Sequence, residues 1–432
     1  MFSRRSVLLL AVAVLAVSGC SSRPPIDEMR IENPVLWSAS TQSTDSVMGA
    51  EIRGDAAVLA ATSSSGDDRL VVIDTKTGEE RWHASAGQSL SIGEGVHLEG
   101  GNDTWSPVPL FVSHLGRPVV SDGKSWVVAL PYQREDGDEV EIGIVGLSGK
   151  DGTPLWKLKV GSEPKPADES ESRAVALPMV AGSGVVVAAS RGEDGGDQGN
   201  VIAIDAKTGK QLWRDSLNGQ PVAIDGDSLL GVGGSDFDDI FSKVTYTEGA
   251  MAWKLRSGKE LWSSDDMGDY EWRAAANGVV MLSGRADDYR DYYVAVNAAT
   301  GEEITEVAED NSSETGCVTD AELIIACETG DGLATLYLDD HSVTTADDPE
   351  FVAEDEQLRL TAAYAGQILA ADSEGAEWNA SARLIDPDAN VLAKQAPERV
   401  LAAAESSIVY TKRIISDTEG VTTTTELHRI RS

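Results

Sequence analysis

The chain is poor in the side chains on which most catalysis and metal binding depend. Its 432 residues include three cysteines and five histidines. No Cys-x-x-Cys pair occurs, and His83, His97, His114, His341 and His428 are scattered without ligand spacing, so the usual zinc frameworks are excluded. Nor does the chain contain a Gly-x-Ser-x-Gly elbow, a His-Glu-x-x-His pair, a phosphate-binding loop or a dinucleotide fingerprint. No enzymatic activity is expected. Positive charge is also scarce: 35 lysines and arginines stand against 72 acidic residues, a net charge of −37. Without a broad basic field, nucleic acid and anionic lipid surfaces are poor partners, and cations, basic proteins or basic peptides are better ones. Long amphipathic helical periods are missing as well. Apolar runs are mostly four to eight residues, bounded by Gly, Asp and Asn, which is the pattern of a large all-β domain.

What is present is a repeat. VIAIDAKTGKQLW (201–213) reads as a strand, a Lys-Thr-Gly turn whose glycine takes positive φ, and a second strand reaching a tryptophan. VVIDTKTGEERW ends likewise at Trp82, IVGLSGKDGTPLW at Trp156 and MAWKLRSGKELW at Trp262. NAATGEEIT keeps Gly301 but has Thr305 in the tryptophan slot, and IDPDANVLAK places Asn390 where glycine should be. A hairpin-like piece precedes each copy, as in PMVAGSGVVVAASRG, so one unit is four short strands recurring about every 40 to 50 residues. Turn geometry accounts for the glycines, since no helix follows to make a phosphate site. At a fixed register, the tryptophans are expected to pack between neighbouring sheets and to be unavailable at a central channel.

The turns fall at Gly78, Gly152, Gly209, Gly258, Gly301 and Asn390. The last interval spans two periods and holds a degenerate copy at 333–345; the first is one period plus an insertion at 88–116. NPVLWSAS (33–40) looks like the second half of a unit and TTTTELHRIRS (422–432) like the first half. Joined, they close a ring and remove the open edge that a linear stack would expose. Units ending near Trp82, Trp156, Trp213, Trp262, Thr305, Val343, Lys394 and Trp37 make eight blades, with seven as the alternative.

The motif Asp-x-x-Thr-Gly-x-x-x-Trp, as in DTKTGEERW and DAKTGKQLW, resembles the repeat of the quinoprotein-type, or PQQ-like, β-propellers. That resemblance implies the fold over residues 34–432 and leaves two functions. One is a protein-binding scaffold, similar in design to the propeller lipoprotein of the Gram-negative outer-membrane assembly machine; the other is a quinone-dependent or sugar-dependent oxidoreductase. The larger enzymes of the family carry adjacent cysteines near the cofactor, which this chain lacks. A quinone carrying several carboxylates also suits so acidic a protein poorly. No cofactor and no metal are therefore expected.

MFSRRSVLLLAVAVLAVSGC sets location. Its apolar run, Val7 to Val17, is too short to span a membrane comfortably and reads as a signal-peptide core over residues 1–19. Val17-Ser18-Gly19-Cys20 resembles the bacterial lipobox, which implies acylation at Cys20, a tether over 20–33 and attachment to the extracytoplasmic face of the cell membrane. Export by the general or the twin-arginine route stays open, and composition and leader look actinobacterial. Removing Arg4 and Arg5 with the signal leaves the mature chain at −39. Cys317 and Cys327 lie in TGCVTDAELIIACETG, a strand-turn-strand centred on Glu322 that opposes them for a disulfide. The acidic clusters SDFDDIF (235–241) and GRADDYRDYY (284–293) match no EF-hand spacing; they are calcium-loop candidates or solvated loops. Their aromatics, Phe237, Tyr289, Tyr292 and Tyr293, form a recognition surface or pack between blades. The expected partner is a protein or peptide, and the propeller a monomer.

Overall fold

The computed structural model describes residues 30–31, 36–40, 45–63, 68–98, 119–120, 125–164, 176–190, 200–216, 219–232, 249–264, 270–285, 291–310, 316–320, 322–329, 332–346, 358–364, 366–372, 383–393, 399–404, 407–416 and 420–431. Their regular elements are strands, which fall into eight antiparallel sheets. Most sheets hold four strands in chain order, as in Ala176–Gly182, Val185–Ser190, Asn200–Asp205 and Gln211–Asp215 of the third. The fold is an all-β propeller. Strand Val201–Ile204 shows why its units read as unbroken apolar runs: Ile202 and Ile204 pack toward the second sheet, Val201 and Ala203 toward the fourth. A sheet stacked on both faces has no solvent side on which to place a polar residue.

Seven apolar clusters lie between consecutive sheets, the last joining the eighth sheet to the first through Val409 and Leu427 against Leu59 and Ile73. The first strand of the eighth sheet, Arg399–Ala404, lies beside that of the first, Asp45–Arg53, and beside that of the seventh, Leu358–Tyr364, so the ring closes. Closure uses both ends of the chain. Trp37–Ser40 pairs with Gly420–Arg431, Trp37 opposite Leu427.

Two irregularities recur. The innermost strand bulges by one residue in six sheets, at Met48, Met179, Val222, Arg273, Thr361 and Leu401, and only Arg273 among these is charged. Such a bulge bends the strand and adds twist. A second register shift follows the Lys-Thr-Gly turn, as between Ala203 and Ile204. Gly78, Gly152, Gly209, Gly258 and Gly301 all take φ between 67° and 75°. The weaker copies differ from the sequence reading. In the sixth sheet His341 takes the left-handed conformation (φ 56°), and in the seventh Ala389 does so (φ 62°) instead of Asn390. There the turn is one residue tighter, Ala389 donating its amide to Asp386 O (2.9 Å), while the Asn390 side chain bonds the Asp386 carboxylate.

The insertion at 88–116 is not wholly outside the sheet. Val96–Leu98 pairs with Trp126–Asp136, as does Val119–Val120 just after the insertion, so two short strands share the innermost position of the second sheet.

Candidate interaction surface

One end of the strands is a face of tight turns. In five sheets a hydrogen bond ties the turn between the third and fourth strands to the turn between the first and second. These are Thr75 N to Asp55 O, Ala206 N to Gly184 O, Leu255 N to Asp227 O, Ala298 N to Gly278 O and Leu338 N to Leu323 O, all 2.8–3.0 Å. Side chains link neighbouring sheets across this face. Ser183 Oγ donates to Gly226 O (2.7 Å), Arg256 reaches Ser183 O (3.2 Å), the Asp225 carboxylate accepts the Gly278 amide, and Asp320 Oδ2 accepts Gly366 N (2.7 Å). A carboxylate that takes a backbone amide from the next sheet fixes the spacing of two sheets as well as its own turn.

In the first, third, fifth and seventh sheets the leading Asp or Asn of the turn, Asp74, Asp205, Asn297 or Asp386, caps the amides that follow. Asp74 Oδ1 accepts from Lys76 N (2.8 Å) and Thr77 N (3.0 Å), and its Oδ2 from Arg81 (2.7 Å). The Arg81 hydrogen bond is the main reason its pKa falls to about 2.

The tryptophans sit between sheets. Trp82 Nε1 donates to Gly149 O (3.0 Å), Trp156 to Ala206 O (2.7 Å), Trp213 to Leu255 O (2.7 Å) and Trp262 to Ala298 O (3.0 Å), each in the next sheet. Each ring lies on the glycine of that next turn. A Cβ at Gly209 would stand 2.6 Å from the Trp156 ring, and one at Gly152 2.8 Å from Trp82. The glycine therefore serves two purposes, positive φ and close approach, of which the sequence suggested one.

The opposite end of the strands holds a projecting hairpin in the second sheet, Trp126–Asp136 paired with Glu139–Ser148. A buried charged cluster anchors it. Glu141 Oε1 accepts from the Tyr132 hydroxyl (2.8 Å) and Lys157 Nζ (3.3 Å), and Oε2 from Arg134 (2.7 Å). Burial opposes the Glu141 carboxylate, but Tyr132, Lys157 and Arg134 outweigh it and lower its pKa; burial, with Glu141 beside it, pushes the Tyr132 hydroxyl up. No sequence motif marked these residues. They come from three strands and meet only through pairing.

Cys20, the lipidation candidate, lies outside the described residues, as do His114 and residues 235–241. Cys317 and Cys327 are directly opposed, with Cα atoms 4.1 Å apart and sulfurs bonded at 2.02 Å. Of the second acidic cluster, residues 286–290 lie outside the described residues. Tyr292 meets Tyr270 edge to face, their hydroxyls 2.8 Å apart, and Tyr293 is buried with its hydroxyl donating to Glu328 O (2.9 Å). His83 bonds Glu80, His97 bonds Ser89, and the buried His428 bonds Glu426. Among the described residues no group of three or more His, Cys, Asp or Glu side chains converges to hold a metal ion. The four repeat indoles are held between sheets, and the two paired cysteines are ten residues apart in sequence.

Repeat, turn and ring define a β-propeller of PQQ-like repeats. The family described as outer membrane protein assembly factor BamB matches residues 34–306, and the chain belongs to it. BamB of Burkholderia pseudomallei (strain K96243) is 24% identical, with 69% of this chain and 87% of that protein covered. Among solved structures, BamB from Moraxella catarrhalis is similar at 11% identity and a TM-score of 0.42, over 93% of this chain and 98% of that one. A quinohemoprotein alcohol dehydrogenase from Comamonas testosteroni is similar at 11% identity and 0.46, over 92% and 76%. At these values the structural likenesses do not separate a scaffold from an enzyme.

Proposed function

We propose that the protein is an extracytoplasmic lipoprotein, acylated at Cys20, whose propeller binds a protein or peptide partner and carries out no reaction. The observation behind this reading is how the aromatic residues are used. All four repeat indoles donate to carbonyls of the neighbouring sheet and cover its turn glycines, so none of them is offered to a planar cofactor. Membership of a family described as an assembly factor agrees with a scaffold. The charge of −37 favours a basic partner surface and disfavours nucleic acid. Affinity capture from a membrane extract, run beside a thermal-shift assay with quinone and calcium, tests the reading. A reproducible protein partner and no shift are expected; a calcium-dependent shift at roughly micromolar quinone, a concentration typical of a specific small-molecule site, would assign an oxidoreductase instead. Loss of membrane retention in Cys20→Ser is the expected outcome for the anchor, and unchanged retention would remove it.

A further inference from the structure

Where the fourth and fifth sheets meet, the end of the joint away from the turns is polar and aromatic. Two rows of side chains face each other there. In the fourth sheet Gln220 stands opposite Val232 and Val232 opposite Ala250; in the fifth, Tyr270 stands opposite Gly284 and Gly284 opposite Tyr292. Ala250 packs in one cluster with Tyr270, Trp272 and Tyr292. Directly opposed residues of an antiparallel pair share a face, so Gln220 and Val232 lie on that side as well. The Gly249 amide, donated to Tyr270 O (2.6 Å), ties the two sheets together at this end.

Three properties of this face fit a ligand. Gln220 is buried, with 9% of its surface exposed, and its Oε1 has no hydrogen-bond partner. Reversing the amide would only exchange a stranded acceptor for a stranded donor. The Tyr270 and Tyr292 hydroxyls, 2.8 Å apart, share one hydrogen and keep a second to donate. Tyr270, Tyr292 and Trp272, which lies on the innermost strand and is not one of the repeat indoles, are half-buried, so part of each is open. Neither row holds a charge. Glu271 and Arg273 turn to the other face of the fifth sheet, where Arg273 bonds Ser283 Oγ (2.8 Å) and the Glu271 carboxylate (2.8 Å).

We infer that this joint binds a neutral sugar unit of a glycan. A hydroxyl both donates and accepts, so it satisfies the buried end of the Gln220 amide in either orientation and takes the hydrogen that the tyrosine pair has to give. The C–H face of a pyranose ring lays apolar surface on the aromatic side chains. Aromatic walls with a few placed polar groups are what small-molecule sites are made of. An acidic sugar, or a quinone that carries carboxylates, would find no cation in either row to offset its desolvation. The site stands apart from the protein-partner reading and does not depend on it.

Calorimetric titration of the purified mature chain with cellotetraose and with chitotetraose tests it. Saturable one-site binding of one or both is expected, with a dissociation constant at or below about 1 mM. Gln220→Leu and Tyr292→Phe nearly keep the side-chain volume and remove the polar atom; each should raise that constant about threefold to tenfold, the worth of one hydrogen bond. Gln220→Leu should leave the thermal midpoint of the free chain unchanged or higher, because the stranded atom is gone, so its weaker binding would not come from unfolding. Lys207→Ala, on the turn face, should bind as the wild type does. Tetragalacturonate, whose sugars carry carboxylates, should not compete. No binding of either tetramer at roughly 10 mM, ten times that constant, overturns the inference. Affinity unchanged in both Gln220→Leu and Tyr292→Phe overturns it by placing the sugar elsewhere, and competition by tetragalacturonate overturns the assignment to a neutral ligand.

Discussion

The first five sheets and the last three join their neighbours by different means. From the first sheet to the fifth, each joint is a tryptophan laid on a glycine: Trp82 on Gly152, Trp156 on Gly209, Trp213 on Gly258 and Trp262 on Gly301. Beyond the fifth sheet the pair fails on both sides at once, for Thr305 stands in the tryptophan slot and His341 in the next glycine slot. The two losses belong together, because an indole cannot lie on a turn that carries a Cβ. Directed bonds serve instead. The Glu328 carboxylate accepts the Leu360 amide, Asp320 accepts Gly366 N and the Tyr293 hydroxyl bonds Glu328 O, while a disulfide fixes Cys317 to Cys327 within the sixth sheet. Both halves bury apolar side chains between sheets; the first adds an indole over a glycine at each joint, and the second adds carboxylate and hydroxyl bonds to the backbone of the next sheet.

The sharpest way to break the comparison is to truncate the residue in the tryptophan slot at one intact joint and at the joint where the pair fails. Trp156→Ala deletes a buried indole, its hydrogen bond and the cover of Gly209, and should cost about 3–5 kcal/mol in denaturant unfolding. Thr305→Ala should cost less than about 0.5 kcal/mol, since little is buried there. Comparable losses would show that the tryptophan is not the joint. Thr305→Trp sharpens the point: with His341 in the facing slot it should destabilise the chain.

In the other half the covalent link is the larger element. Cys317→Ser/Cys327→Ser should lower stability by about 2–3 kcal/mol. Peptide mapping without reductant should recover the two cysteines as one linked fragment. Alkylation of both in the unreduced, denatured protein would contradict the pairing.

Much of this architecture was legible because a repeat is local. A turn, its glycine and a tryptophan four residues later can be read along the chain, as can the split unit that Trp37–Ser40 and Gly420–Arg431 complete. Cys317 and Cys327 were legible because one hairpin opposes them. The Glu141 cluster was not, since Tyr132, Arg134, Glu141 and Lys157 converge only once three strands have paired. The shift from Asn390 to Ala389 was hidden for a different reason: propensity favours asparagine at positive φ, yet here its side chain is used on Asp386 and the turn tightens by one residue.

A smaller effect separates the hydrogen-bonded joints from ordinary turns. Asp320 Oδ1 accepts three amides of its own turn, Glu322, Leu323 and Ile324, while Oδ2 reaches Gly366 in the seventh sheet. Asp320→Ala should cost about 2 kcal/mol, because the removed carboxylate leaves a partly buried amide without its acceptor in the neighbouring sheet. Asp388→Ala, at an exposed turn position with no bond across sheets, should be nearly neutral. An equal cost at both sites would reduce Asp320 to a local cap.

The smallest effect is one of pH, and it falls in the first sheet. Asp74 has its pKa lowered from 3.8 to about 2, chiefly by the Arg81 hydrogen bond, with the Lys76 and Thr77 amides adding to it. A carboxylate whose folded pKa lies below its unfolded value binds fewer protons in the native state, so its contribution is complete above about pH 4 and is lost as pH falls toward 2. Its partner Arg81 stays charged throughout, pushed up by Asp74 and Asp55 against the burial that opposes it. Asp74→Asn should therefore lower the thermal midpoint near neutral pH and flatten its decline between about pH 4 and pH 2, where the wild-type chain loses the bond and the variant has none to lose. Parallel acid limbs for wild type and Asp74→Asn would mean that the Arg81 pair does not hold the first turn, and that its cap bonds to Lys76 and Thr77 suffice.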